Sequence, residues 1–409
     1  MSGKIRWFHF ENFEAPKINN TWGHLVDMLD ACLVNGFGTQ SATSLTVTDG
    51  VGLLTFPSFH KYKQFQVIEI SGAANPDLNA EFRIMGITDT TVEFLVDIPD
   101  QTDSGTLSCR LPPLGWSMPF SGIQKRVYQA KNTILNPVFL RVDNSRGANY
   151  DASYAKFAKV GILSSCTDID DLTGIQAPFD PSSPNKNWSE TGSGSSVVSG
   201  WLKWQYATHE SSATSNNYYE SEGATAGIRD WVLIGDDANF YFVIKTTVNT
   251  ILEIPYGFGS VFHGDRAVPV LFATNRAIRA DSDVLAGSPL SDPNRIDVAM
   301  IHDYYNAVNN TNFGRLFGAI GNMPSGASTQ PMKVDEAQGN ILSPIYLADQ
   351  SSYLIGILPI VRSCSHDATL VRNHSIYFDG NSAYIACRFR QKTNGTLGTI
   401  FFKIFDGVD

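Results

Sequence analysis

Apolar and polar positions along the chain alternate in short runs far more often than they recur at helical spacing. Ser44 to Thr48 puts Leu45 and Val47 on one face, Asp49-Gly50 is a hairpin turn signal, and Val51 to Phe56 returns. The same pattern predicts strands at Gln66 to Ser71, Glu81 to Thr88, Thr91 to Asp97 and Gly105 to Leu111, with turns at Ser71-Gly72, Asn75-Pro76 and Thr88-Asp89. Beyond the stiff Pro112-Pro113 boundary come Arg126 to Gln129, Val138 to Asp143 and Tyr154 to Leu163. Trp231 to Ile234 and Phe240 to Ile244 flank Gly235 to Asn239 and make the clearest hairpin. Tyr353 to Val361, the longest apolar patch, then Ser375 to Phe378, Ala383 to Arg390 and Gly398 to Phe405 read as closing strands.

One segment has helical period. Leu25, Met28, Leu29, Cys32 and Leu33 fall on one face, Trp22 extends that stripe, Thr21 is placed to cap it, and Asn35-Gly36 end it. A short one-faced helix must dock, on its own domain or on a neighbouring subunit. Two stretches have few aliphatics: about Thr167 to Gly200, rich in Ser, Pro, Asn, Asp and Gly, and Glu210 to Glu222 around Tyr218-Tyr219. Both read as surface loop.

With 409 residues the chain exceeds what one core usually serves, about 250–300 residues. Charged residues make up only 17%, against about 25% in an average domain, which suits loop-rich β structure better than long charged helices. The net charge of −10 offers no basic surface for a phosphate backbone, so nucleic acid is not an expected partner. No apolar run approaches the ~20 residues of a membrane span, and the first residues lack the apolar core of a signal peptide. The five cysteines, Cys32, Cys109, Cys166, Cys364 and Cys387, are odd in number and widely spaced, so they read as buried small hydrophobes.

Candidate chemistry reduces to turns and loops. Gly235-Asp236-Asp237 has the letters of a polymerase metal motif but sits where a hairpin tip is predicted. Asp168, Asp170 and Asp171 lack the glycine and glutamate of a calcium loop. Eight histidines are scattered, and Cys364 with His366 has no further ligand at metal spacing. No nucleophile or metalloprotease motif is present. Trp201, Trp204, Tyr218 and Tyr219 lie near Glu210, Glu220 and Glu222, a combination that could contact sugar. No catalytic residue, metal or cofactor is therefore expected.

Several segments, in order along the chain, resemble a family of tailed-bacteriophage virion proteins described as tail or structural proteins. They are Asn20-Thr21-Trp22-Gly23 with the following helix and Gly36-Phe37-Gly38; Val67 to Ala73 with Leu78 to Arg83; Pro113-Leu114-Gly115-Trp116 with Pro119 to Gly122 and Leu140 to Asp143; Arg229 to Asp236; and Gly356 to Pro359 with Gly398 to Phe402. Pro359-Ile360-Val361 departs from the family's pattern, and residues 275–345 match none of it. The resemblance implies virion assembly and transfers no catalytic residue.

The expected molecule is mainly β and multi-domain: an N-terminal arm and helix over 1–40, a small β-barrel or sandwich over 41–112, and a larger β-sandwich-like region over 113–409 with a long loop insertion near 167–225. Its expected role is that of a tail, baseplate or fibre-associated component, assembled in the host bacterial cytoplasm and partnered by copies of itself and other virion proteins. A capsid decoration or head-fibre protein and a binder of host-surface glycan are the alternatives. Trp7, Phe8, Phe10, Trp22, Leu25, Met28 and Leu29 are the expected subunit-interface residues, and Trp201, Trp204, Tyr218 and Tyr219 the expected ligand-contact loop.

Overall fold

The computed structural model describes residues 3–194, 197–209, 220–249, 253–275, 288–291, 298–301, 313–317, 342–364, 371–390 and 397–407. The chain is mainly β, as its alternation predicts. Every strand pairing among these residues is antiparallel.

The dominant element is a 12-stranded sheet. From Trp231–Gly235 through Phe240–Ile244, Ile254–His263, Arg266–Phe272, Val298–Met300, Phe313–Phe317, Leu342–Asp349 and Leu354–Cys364, each strand pairs with the next. The order then runs to Leu397–Phe405, Ser382–Arg390 and Ile376–Asp379. Arg6–His9 adds to the other edge, with Trp7 opposite Ile234 and Phe8 opposite Leu233. The sheet curls on itself, for Gly356 lies so near strand Ile254–His263 that a Cβ there would sit 2.7 Å from the Phe262 carbonyl oxygen. Val261, Val270, Leu316, Leu347, Leu358, Ile385 and Phe402 fill the inside of the curl.

The first half carries smaller sheets. Phe37–Ser41, Ser108–Leu111, Val67–Ser71 and Glu81–Arg83 form one, and Gly86–Ile87, Thr91–Leu95, Val51–Thr55, Ser44–Thr48 and Gln101–Asp103 another. The expected single strand Glu81 to Thr88 is thus two, serving different sheets, with the crossover at Ile84 and Met85. A third sheet, of seven strands, runs from Ser117–Gly122 through Lys125–Gln129, Phe139–Asp143, Lys156–Leu163 and Leu202–Ala207 to Thr274–Asn275, with Gln176–Ala177 paired to Lys156–Leu163 off that path.

The helix is shorter than its stripe: His24–Leu29 is α-helical and Asp30–Asn35 continues as a π-helical turn. Thr21 does not cap it. The N-cap is Gly23, at φ 97°, where an L side chain would be strained, and its N–H donates to Asn144 Oδ1. The stripe residues Leu25, Met28, Leu29, Cys32 and Leu33 are all buried. Asp30, off the stripe, accepts from Arg126 Nε and the Tyr128 hydroxyl and docks the helix on strand Lys125–Gln129. One cluster of buried side chains takes in Phe8, Leu29, Phe94, Leu140, Trp204 and Phe242. Among the described residues no helix is long and apolar enough to cross a membrane.

Candidate functional site

The structure corrects five of the expected interface residues, Trp7, Phe8, Leu25, Met28 and Leu29, which the chain itself buries. Trp7 and Phe8 are almost completely buried, on opposite sides of their strand. Trp7 joins the core inside the curled sheet, and Phe8 joins the cluster that also holds the helix. Phe8 packs on Phe37, and Phe10, half-buried, lies over His9. Leu25, Met28 and Leu29 are wholly buried, and Trp22 packs edge-on against Tyr150 and Phe157. An aromatic arm is too costly to leave in water, and here the chain itself covers it.

The expected ligand-contact loop is corrected in part. Trp204 has no exposed surface, and its indole N–H donates to the Phe272 carbonyl. It therefore packs the core and touches no solute. Trp201 is half-buried beneath the Lys186 ammonium, 4.2 Å from the ring centre. Tyr218 and Tyr219 lie outside the described residues. Of the nearby carboxylates, Glu220 is buried in an ion pair with Lys203, and Glu222 lies 3.8 Å from His209. Asp170 pairs with Lys125 and Arg141, and Asp171 accepts from Thr167 and Thr173, so the acidic loop is held by its own neighbours.

An outward apolar row stands on the curled sheet. Phe317 is directly opposite Tyr346, and Tyr346 directly opposite Ile357, so the three side chains share the outer face. They are 37%, 36% and 48% exposed. Leu354 and Tyr353, at the hairpin tip of the same strand pair, are 58% and 74% exposed. The sequence did carry a signal for this face. Tyr353 to Val361 is apolar at both parities, which is how a strand reads when both its faces are apolar.

A second constellation is polar and buried. His9 and Glu253 are 5% and 3% exposed, and Cys387 is 2% exposed. The Glu11 backbone N–H donates to His9 Nδ1 at 3.2 Å. That assigns the proton of neutral His9 to Nε2, which donates to His374 Nδ1 at 3.1 Å; His374 Nε2–H in turn donates to Glu253 Oε1 at 2.6 Å. Burial, reinforced by His374, pushes the His9 pKa down to about 2, so the ring is neutral. Burial, reinforced by Glu253, raises that of the Cys387 thiol. Ligand atoms of Glu253, His374 and Cys387 all lie within 4.8 Å of one another, so these three residues could hold a metal ion. Residues this far apart in sequence carry no spacing motif, and only the folded sheet brings them together.

The sequence matches no family model and no curated protein. Among solved structures the chain is similar to the phage phi92 endosialidase, at 10% identity and a TM-score of 0.17 over 90% of this chain. The match covers 52% of that protein, so the chain spans about half its length.

Proposed function

We propose that the chain is a structural subunit of a tailed-phage virion, in the tail, baseplate or a fibre, that works by contact with copies of itself and with other virion proteins. The ordered sequence segments that resemble virion proteins supply the setting. The observation that carries the mode of action is the outward row Phe317, Tyr346 and Ile357, with Leu354 and Tyr353 at the adjoining hairpin tip. A contiguous apolar face of this kind costs free energy in water and is relieved when another protein covers it. Aromatic side chains at its centre are the residues on which interfaces usually depend. No catalytic step belongs to this reading, which is supported by the burial of Glu220 in its ion pair with Lys203.

The test has two arms. Native mass spectrometry of the purified chain is expected to show an oligomer, and Tyr346→Lys with Ile357→Lys, both surface changes, is expected to return it to monomer without lowering its melting temperature. Gold-labelled antibody on intact particles is expected to mark the tail; label on the capsid would move the protein to the head, and particles without label would sink the virion assignment.

A further inference from the structure

We infer that Glu253, His374 and Cys387 form a binding site for a divalent metal ion of the zinc class. The three ligand atoms already lie within 4.8 Å of one another, and His374 Nε2 and Glu253 Oε1, now hydrogen-bonded at 2.6 Å, need only part slightly to admit a tetrahedral ion. One strand organises them. Cys387 lies within Ser382–Arg390; on one side of it the Ala386 carbonyl accepts from the His374 N–H, and on the other the Arg388 carbonyl accepts from the Glu253 N–H. His374 is also held at φ 58°, a backbone conformation that L residues seldom adopt. The backbone thus delivers all three side chains to one point.

The second observation is an unmet need. Glu253 Oε2 is buried and has no hydrogen-bond partner among the described residues, while His374 serves only Oε1. A buried carboxylate oxygen without a donor is costly, and a cation at this point would satisfy it. The ligand set decides the class of ion. Imidazole, thiolate and carboxylate together suit zinc and its first-row neighbours, whereas calcium and magnesium favour oxygen alone. Glutamate and thiolate would balance the charge of the dication, leaving one coordination position for water or another donor.

His9 has a positioning role. When His374 Nε2 coordinates, its proton must sit on Nδ1 and be donated to His9 Nε2. The His9 proton then moves to Nδ1, facing the Glu11 carboxylate at 3.5 Å. Glu11 can serve both tautomers, through its N–H in one and its carboxylate in the other. The only proton lost to solvent is that of the Cys387 thiol. Such outer partners typically set metal affinity by about 10–100-fold.

The full chain, free of any histidine tag, reduced and stripped with chelator, should take up about one Co(II) with a thiolate-to-cobalt charge-transfer band and tetrahedral d–d bands. Cys387→Ser should abolish the charge-transfer band, and Glu253→Gln should weaken binding at least about tenfold. His9→Phe should weaken it about 10–100-fold with the band kept, and Cys364→Ser should leave both unchanged. Should the site variants fail to fold, the wild-type spectrum alone decides. A wild-type chain that takes up no cobalt, or cobalt without the charge-transfer band, would overturn the site.

Discussion

The Lys203 ammonium sits 2.6 and 2.8 Å from the two oxygens of Glu220, and both side chains are sealed from solvent. The pair fastens the chain at residue 220, whose carbonyl also accepts from the Tyr150 hydroxyl and the Ala155 N–H, onto strand Leu202–Ala207. Lys203 also lies over the Phe157 ring. Removing either charge strands the other in the interior. Lys203→Met and Glu220→Leu are each expected to lower unfolding free energy by about 3–5 kcal/mol in urea melts, and the double change Lys203→Met with Glu220→Leu by clearly less than their sum.

Trp204→Ala is expected to destabilise by about 3–5 kcal/mol, because it empties a fully enclosed volume between Phe240, Phe242 and Tyr256. Chemical denaturation measures this. A change below about 1 kcal/mol would mean that the indole is not packed as described.

Asp236 predicts a pH dependence. Burial pushes its pKa up to about 6, against hydrogen bonds from the Ala238 and Asn239 N–H groups. The native state therefore holds this proton between about pH 4 and 6 while the unfolded chain has released it, so this group makes stability fall as pH rises through that window. Asp236→Asn keeps an oxygen for both backbone donors and removes the charge. The variant should be the more stable one at pH 7, by about 2–3 kcal/mol, with the difference vanishing below about pH 4. Paired melts across that range check the sign.

Arg83 Nη1 donates to the carbonyls of Ile5, Phe65 and Ile404, tying the residue before edge strand Arg6–His9, the turn before Val67–Ser71 and strand Leu397–Phe405 to one cation. Arg83→Met leaves those carbonyls without this donor. A loss of about 3 kcal/mol or more is expected, with faster hydrogen exchange in Arg6–His9.

Much of the fold was legible, and the failures have physical causes. The hairpin around Gly235 to Asn239 and the helix stripe from Leu25 to Leu33 were readable because turn residues and a 3.6 period are local properties. Trp204 was expected in a ligand-contact loop, yet it lies in strand Leu202–Ala207, where all six positions are buried, Lys203 and Gln205 included. Covering Lys203 requires Glu220, which alternation does not register. The aromatic arm was read as an external anchor because its pairing partner lies more than two hundred residues away. The cluster of His9, Glu253, His374 and Cys387 left no trace in sequence for the same reason. The outward row, by contrast, was foreshadowed by an apolar run that belonged to both faces of its strand.

The place of Arg6–His9 in the sheet has a consequence for biosynthesis. From Trp231 to Leu354 the large sheet grows by pairing each strand with the one before it, which needs only short-range closure. The first strand is different, since its partner ends at Gly235. At ~5–20 residues per second, Trp7 and Phe8 emerge from the ribosome and wait roughly 10–45 s for that partner. During this interval the strand edge of Arg6–His9 has no native pairing, although Phe8 can already meet Phe37, so this segment is one that a chaperone would shield.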